Sequence, residues 1–391
     1  MGIEYERIKE IIQEVPTPCY IVSEALLEKN LKLLRRVADR AGCKILLAQK
    51  AFSMYYYYPL IGKYLDGVTA SGLYEARLGY EELCQKERRC ENHVFSPAYD
   101  KGHMEELLQI CDHIVFNSFS QWELYKEAAL RAGKSCGIRI NPECSTQDHA
   151  IYDPCAPGSR LGVTLEHFEK HGLDALEGIE GLHFHCLCEQ NADALVTTMN
   201  AVEEKFGAYL YQMKWLNMGG GHHITKYDYD VEALVALIQR IQKKYGLTVY
   251  LEPGEAVALN AGFLVTQVLE LVSNHGIVTA IVDTSAACHM PDVIEMPYRP
   301  PLYNSGEAGE KAFTYRLAGP TCLAGDLIGD YSFDDELKVG DRLIFGDMAI
   351  YSMVKNNTFN GMPLPEIIAL DANGTWQTVK RFGYEDFKRR L

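Results

Sequence analysis

Lys44 to Lys50 reads KILLAQK: a short apolar run, a closing polar residue, and a lysine two positions beyond the run. Seven further segments repeat the pattern: Gly67 to Ser71 (GVTAS), His93 to Pro97 (HVFSP), His113 to Asn117 (HIVFN), Cys136 to Ile140 (CGIRI), Gly181 to His185 (GLHFH), Trp215 to Gly219 (WLNMG) and Thr248 to Glu252 (TVYLE). Between them lie stretches with apolar residues at three- and four-residue spacing, such as Leu73 to Cys84, Gln121 to Ala132 and Val231 to Tyr245. Short apolar runs alternating with amphipathic helical patterns predict an α/β fold, a parallel (β/α)8 TIM-like barrel whose crossover helices cover the sheet. After about residue 260 the rhythm changes to strands punctuated by Gly, Pro and Asp: Phe263 to Val272, Ile277 to Asp283, Phe313 to Ala318 and Asp341 to Ser352. A barrel over residues 25–262 is expected, followed by a mainly β C-terminal domain over residues 263–391. The N-terminal segment 1–24, with a strand-like Thr17 to Val22, is expected to join that second domain.

The 391 residues carry 38 Lys and Arg against 53 Asp and Glu, a formal net charge of -15, which offers no basic stripe to a phosphate backbone. Nucleic acid is therefore not an expected partner. No apolar run reaches the ~18 residues of a membrane span, and no hydrophobic leader opens the sequence, so the reading is a cytoplasmic protein with no membrane partner. The 12 cysteines, spread along the chain, read as reduced thiols rather than a disulfide framework.

In a parallel barrel the chemistry gathers at the C-terminal ends of the strands, so the residues just past each run deserve inspection. Lys50 has apolar neighbours, which would lower an amine's pKa and favour a nucleophilic role. The seventh run ends in Gly219, Gly220 and Gly221, a run that lets backbone approach an anion where barrels commonly bind phosphate. Glu252 closes the eighth run and could keep a pyridine nitrogen protonated. In the sixth, His183 and His185 fall on one face of a strand. They could bind a catalytic metal or, for His185, stack on a flat ring.

Taken together, AQKAFS (Ala48 to Ser53), TASGLYEARLG (Thr69 to Gly79), SRLGV (Ser159 to Val163), LHFHCLCE (Leu182 to Glu189), NMGGGHHIT (Asn217 to Thr225), EPGEA (Glu252 to Ala256), GPTCLAGD (Gly319 to Asp326) and MAIYSMVKNNTFNG (Met348 to Gly361) resemble the carboxynorspermidine/carboxyspermidine decarboxylases. These belong to the alanine racemase-like, fold type III enzymes that use pyridoxal 5'-phosphate (PLP). The resemblance spans nearly the whole chain. It implies that Lys50 carries the cofactor covalently, His185 stacks on its ring, Glu252 pairs with its ring nitrogen, Gly219 to Gly221 with Tyr351 hold its phosphate, and Arg139 lies near the cofactor. It also implies a homodimer with shared active sites, in which Cys322 and Asp326 complete the partner subunit's site, Cys322 being a plausible proton donor to the substrate. Glu189, Glu255, His289, Asp292 and Glu295 are the resemblance's candidates for gripping a cationic, carboxylated polyamine; no resident metal is expected.

Two positions depart from related ornithine decarboxylases: Glu255 replaces a phosphate-supporting arginine, and Leu323 an aspartate that grips a substrate amine. Both argue against ornithine. The rival readings are a decarboxylase of diaminopimelate or another basic amino acid, a metal-dependent barrel hydrolase using His183 and His185, and a non-catalytic PLP carrier.

Overall fold

The computed structural model describes residues 2–86, 90–147 and 152–391, and divides into two compact units: Glu28–Val257, and Met1–Leu27 together with Ala258–Leu391. After β1 (Cys19–Ser23) come eight strands: β2 (Lys44–Ala48), β3 (Gly67–Ala70), β4 (Glu91–Phe95), β5 (His113–Phe116), β6 (Ser135–Arg139), β7 (Ile179–His183), β8 (Trp215–Asn217) and β9 (Thr248–Leu251). They pair in parallel in chain order, and β9 closes on β2 through Lys44↔Tyr250 and Ile45↔Leu251, forming the expected barrel. Because both faces of a barrel strand are covered, β2 is buried from Ile45 through Ala48, and such strands read as continuous apolar runs rather than alternating ones. The crossover helices are set by local caps: Asp230 accepts from the Ala233 N–H ahead of Val231–Tyr245, and Asn191 accepts from the Ala192 N–H ahead of Ala192–Leu210.

Leu46, Val115, Trp215 and Tyr250 pack together inside the barrel. Trp215 fits because Gly137 and Gly181 face its ring; a Cβ on either would lie 2.3 or 2.0 Å from an indole carbon. The N-terminal ends of the strands carry a polar plug: Lys44 pairs with Glu91, His93 Nε2 lies 3.0 Å from Glu91 Oε2, and the His93 and His113 rings stack at 4.0 Å. This is the end opposite to the one where barrel chemistry sits.

The other unit holds a mixed sheet. Its strands after the barrel are β10 (Gly262–Asn274), β11 (Ile277–Val282), β12 (Phe313–Ala318), β13 (Leu327–Phe333), β14 (Arg342–Gly346), β15 (Glu366–Leu370) and β16 (Trp376–Lys380). The order is β13-β12-β11-β10-β1-β15-β16, with β14 also on β10. Strand β1 runs antiparallel to β10 (Tyr20↔Leu264) and parallel to β15 (Ile21↔Ile368). Its residues serve two cores by the two-residue period of a strand: Tyr20 packs with Leu264, Tyr331 and Phe345, and Ile21 with Phe263, Ile344 and Ile368.

Two expectations are corrected. Cys84 and Cys90 form a disulfide, their Cα atoms 4.8 Å apart, within bridging reach; the other ten cysteines are free. The strand expected over Asp341 to Ser352 stops at Gly346, and Asp347 and Tyr351 beyond it take positive φ. Among the described residues no helix is long and apolar enough to cross a membrane.

Candidate active site

A cavity of about 350 Å³ opens at the C-terminal ends of the barrel strands, lined by Lys50, Thr69, Phe95, Arg139, His183, His185 and Glu252 among others. Its size is that of a small-molecule site. Lys50 follows β2, and its side chain is reachable from the cavity while protein surrounds it elsewhere. Burial lowers the amine's pKa first, and the nearby Arg139 guanidinium lowers it further.

Glu252 follows β9. Burial pushes its carboxyl up, but His183 and the Asn217 amide outweigh that, holding it at about 2 and therefore ionised. Asn217 Nδ2 donates to Glu252 Oε1 at 2.7 Å, and His183 Nε2 lies 3.3 Å from Oε2. Burial, then Lys50 and Arg139, hold the His185 ring well below its usual pKa, so it is neutral. Its Nδ1 accepts the Gly220 N–H at 2.9 Å, which assigns the ring proton to Nε2. Arg139, at the end of β6, is buried, donates to the His185 carbonyl at 3.0 Å and lies 4.5 Å over the Phe95 ring. Burial brings it down to about 10, still charged at neutral pH, and among the described residues no carboxylate lies within ion-pair reach.

The glycine loop is built differently from the sequence expectation. The Gly219 N–H donates to Asn217 Oδ1 and the Gly220 N–H to His185 Nδ1, so two of the three amides serve the site's own side chains. That of Gly221 alone has no protein acceptor among the described residues. The loop packs backbone on backbone: a Cβ at Gly220 would sit 2.1 Å from the Glu252 carbonyl oxygen, and one at Gly221 1.9 Å from that of Leu187. We expect Gly220→Ala to lower stability by about 1–3 kcal/mol, an overpacking cost. Urea unfolding checks this; a variant as stable as the parent contradicts it.

Among the described residues, Glu252 is the only carboxylate lining the cavity. Glu189, four residues past the sixth run, is exposed, and Glu255 Oε2 is 3.1 Å from His223 Nε2; neither is among the residues lining this cavity. In the other unit, Asp326 is buried and accepts from Ser285 Oγ, the Ala287 N–H and Thr321 Oγ1. His289 is also buried, accepting from the Ser285 N–H at Nδ1 and donating from Nε2 to the Pro363 carbonyl. Both ring nitrogens are thus engaged within the chain. Asp292 pairs with Lys355, which also reaches Glu295. Cys322 is exposed, its N–H donating to Asn360 Oδ1 at 2.7 Å. Tyr351 is half-buried with φ 46°, a costly conformation for an aromatic residue and one concentrated at functional sites.

The His183 and His185 rings do not share a metal-binding arrangement: one faces Glu252 and the other the Gly220 amide. Among the described residues, the group of three ligand-type side chains with donor atoms within 4.8 Å of one another is Glu91, His93 and His113, in the polar plug at the opposite end of the strands.

The family model described as pyridoxal-dependent decarboxylase, C-terminal sheet domain, matches residues 19–349. A carboxynorspermidine/carboxyspermidine decarboxylase of Campylobacter jejuni is 43% identical over 389 residues, 97% of this chain and 99% of its own. This chain belongs to that decarboxylase family. A carboxyaminopropylagmatine decarboxylase of Synechocystis is 40% identical, covering 97% of this decarboxylase and 96% of its own length. The crystal structure of the Campylobacter jejuni carboxynorspermidine decarboxylase complexed with norspermidine matches with a TM-score of 0.89 at 42% identity, over 96% of this decarboxylase and all of that chain.

The decarboxylase uses PLP, and the residues present fit it. A nucleophilic amine, a flat neutral imidazole and an ionised carboxylate line one cavity. A buried guanidinium without a carboxylate partner there, and the unengaged amide of Gly221 beside the Leu187 backbone, suit a phosphate. Asn217 and Phe95 were missed in the sequence. Asn217 had a signal, since it stands directly before the glycine run; Phe95 had none beyond its place at the end of β4.

Proposed function

We propose that this decarboxylase acts on carboxynorspermidine and carboxyspermidine, releasing carbon dioxide and the corresponding triamine. The single observation that carries the substrate is the 43% identity, across essentially the whole of both chains, to an enzyme named for these two compounds. When bound, PLP supplies an electron sink for the charge left on the substrate's Cα as carbon dioxide departs. In our reading Lys50 would hold the cofactor covalently and give way to the substrate amine, a role favoured by its lowered pKa, which makes the amine give up its proton more readily than a free lysine. Glu252 would keep a proton on the ring nitrogen, His185, oriented by the Gly220 N–H, would lie against the ring, and Arg139, the Gly221 amide and Tyr351 would hold the phosphate.

The reading extends to a cytoplasmic homodimer, in which the exposed Cys322 returns a proton to Cα in the partner subunit's site. The remote ammonium groups of the polyamine are read by side chains outside the barrel cavity, whose one carboxylate is reserved for the cofactor. The Synechocystis relative favours a second substrate of the same class, carboxyaminopropylagmatine. Carbon dioxide release from carboxynorspermidine, carboxyspermidine, carboxyaminopropylagmatine, diaminopimelate, ornithine and arginine tests the proposal. We expect kcat/KM for one of the first two to exceed that for every amino acid by at least ~100-fold, the scale on which a site rejects a substrate that leaves its polar groups unpaired. Highest turnover with diaminopimelate would overturn it.

A further inference from the structure

His183 stands out because it is a buried polar side chain that the mechanism does not use. It ends β7, is 2% exposed, lines the cavity, and neither ring nitrogen makes a hydrogen bond of good geometry. Leaving such a group unpaired costs ~1–3 kcal/mol, so a protein that keeps one at its active site has a use for it. Its neighbours identify the use. Nε2 lies 3.3 Å from Glu252 Oε2, while the other carboxylate oxygen is taken by Asn217 Nδ2, itself tied through Oδ1 to the Gly219 N–H. The Phe95 ring, tilted 41° at 5.4 Å, backs the imidazole. Nε2 is already within reach of Oε2, and catalytic hydrogen bonds that are long or poorly aligned in an empty site tighten when it fills.

Resting on the reading of Glu252 as the partner of the cofactor's ring nitrogen, we infer that His183 is a positioning residue: a neutral donor that fixes Glu252 through Nε2–H without neutralising it. The charge state is central. An imidazolium would satisfy the carboxylate electrostatically and compete with the ring nitrogen for it, whereas a neutral ring orients the carboxylate and leaves its charge available. The surroundings favour the neutral ring: burial, opposed by Glu252 but joined by Arg139 and Lys50, lowers the His183 pKa. The titratable groups acting on Glu252 are His183, His93, His113, Lys50 and Arg139, of which only His183 is close enough to donate to it.

The test uses holoenzyme with 15N-labelled PLP and the variants His183→Phe, His183→Gln and Glu252→Gln. The amide nitrogen of glutamine reproduces the position and neutrality of Nε2. In His183→Phe we expect the acidic limb of the kcat/KM profile to move to higher pH and the rate at neutral pH to fall roughly ten- to hundredfold, the worth of a hydrogen bond to a charged group. The ring-nitrogen 15N shift should move toward the unprotonated value. His183→Gln should restore both. A native limb and a native 15N shift in His183→Phe overturn the inference. If Glu252→Gln also leaves the 15N shift unchanged, the reading of Glu252 has failed; if it moves the shift and His183→Phe does not, only the role of His183 has. Should His183→Phe not fold, the ring 15N shifts of His183 in the wild-type holoenzyme decide: a neutral Nε2–H tautomer from pH 5 to 9 supports the inference and an imidazolium overturns it.

Discussion

Lys50→Ala purified with PLP is expected to lack the visible absorption of an enzyme-bound imine, and its kcat to fall on the order of 10⁴-fold, the upper end of what one positioned proton-transfer group contributes. The attachment point is lost as well. Lys50→Arg should be equally inactive. A guanidinium keeps the charge but cannot be deprotonated in a protein, so this variant separates nucleophilicity from electrostatics. Burial and Arg139 both lower the lysine's pKa, so the amine gives up its proton more readily than a free lysine does, and activity should hold to lower pH than an unperturbed amine would permit. Borohydride reduction followed by peptide mapping checks the assignment: the reduced adduct should lie on Lys50. Label on another lysine, or a Lys50→Ala protein with its band and turnover intact, would refute it.

The barrel was legible because its strands are buried on both faces and so announce themselves locally; KILLA and HIVF need no partner to be read as strands. Three strands of the second sheet, β13, β15 and β16, were not. LIGDYSF, which forms β13, has Gly329 and Asp330 at its centre, residues depleted in strands, and EIIAL, which forms β15, is composed as well for a helix. β15 is a strand because it lies parallel to Cys19–Ser23, some 350 residues away in the chain, a pairing no local window contains. The tail of the run expected over Asp341 to Ser352 failed for the converse reason: apolar residues there bend through left-handed backbone at Asp347 and Tyr351.

At the site, Lys50, His185 and Glu252 could be found from their places just past strand ends, since a parallel barrel converts that position into a shared mouth. What residue type could not reveal was direction. Asp326 and His289 have the right chemistry for a polyamine, yet their polar atoms turn inward to Ser285, Thr321 and Pro363. The glycine amides show the same limit, with two of three turned toward Asn217 and His185 instead of outward.

Glu252→Gln should cut kcat by roughly 10²–10³-fold, the cost of removing a preorganised electrostatic stabiliser, with little change in KM because the charge matters most as negative charge develops on the substrate. It should also change stability in a pH-dependent way whose sign follows from the carboxyl itself. Its pKa falls from 4.5 to about 2 on folding, so its contribution is fully present above about pH 4.5 and fades as the pH drops toward 2. The gap in unfolding free energy between wild type and Glu252→Gln should thus be constant from pH 8 to 5 and narrow below 4.5 in urea titrations. Glu91, held at about 2 by Lys44 and His93 against the effect of burial, titrates in the same window. Because it lies at the opposite end of the strands and is unchanged in the variant, the difference between the two proteins isolates Glu252. A gap that widens on acidification would mean that the carboxyl is protonated in the folded protein, and a protonated Glu252 could not hold a proton on the cofactor.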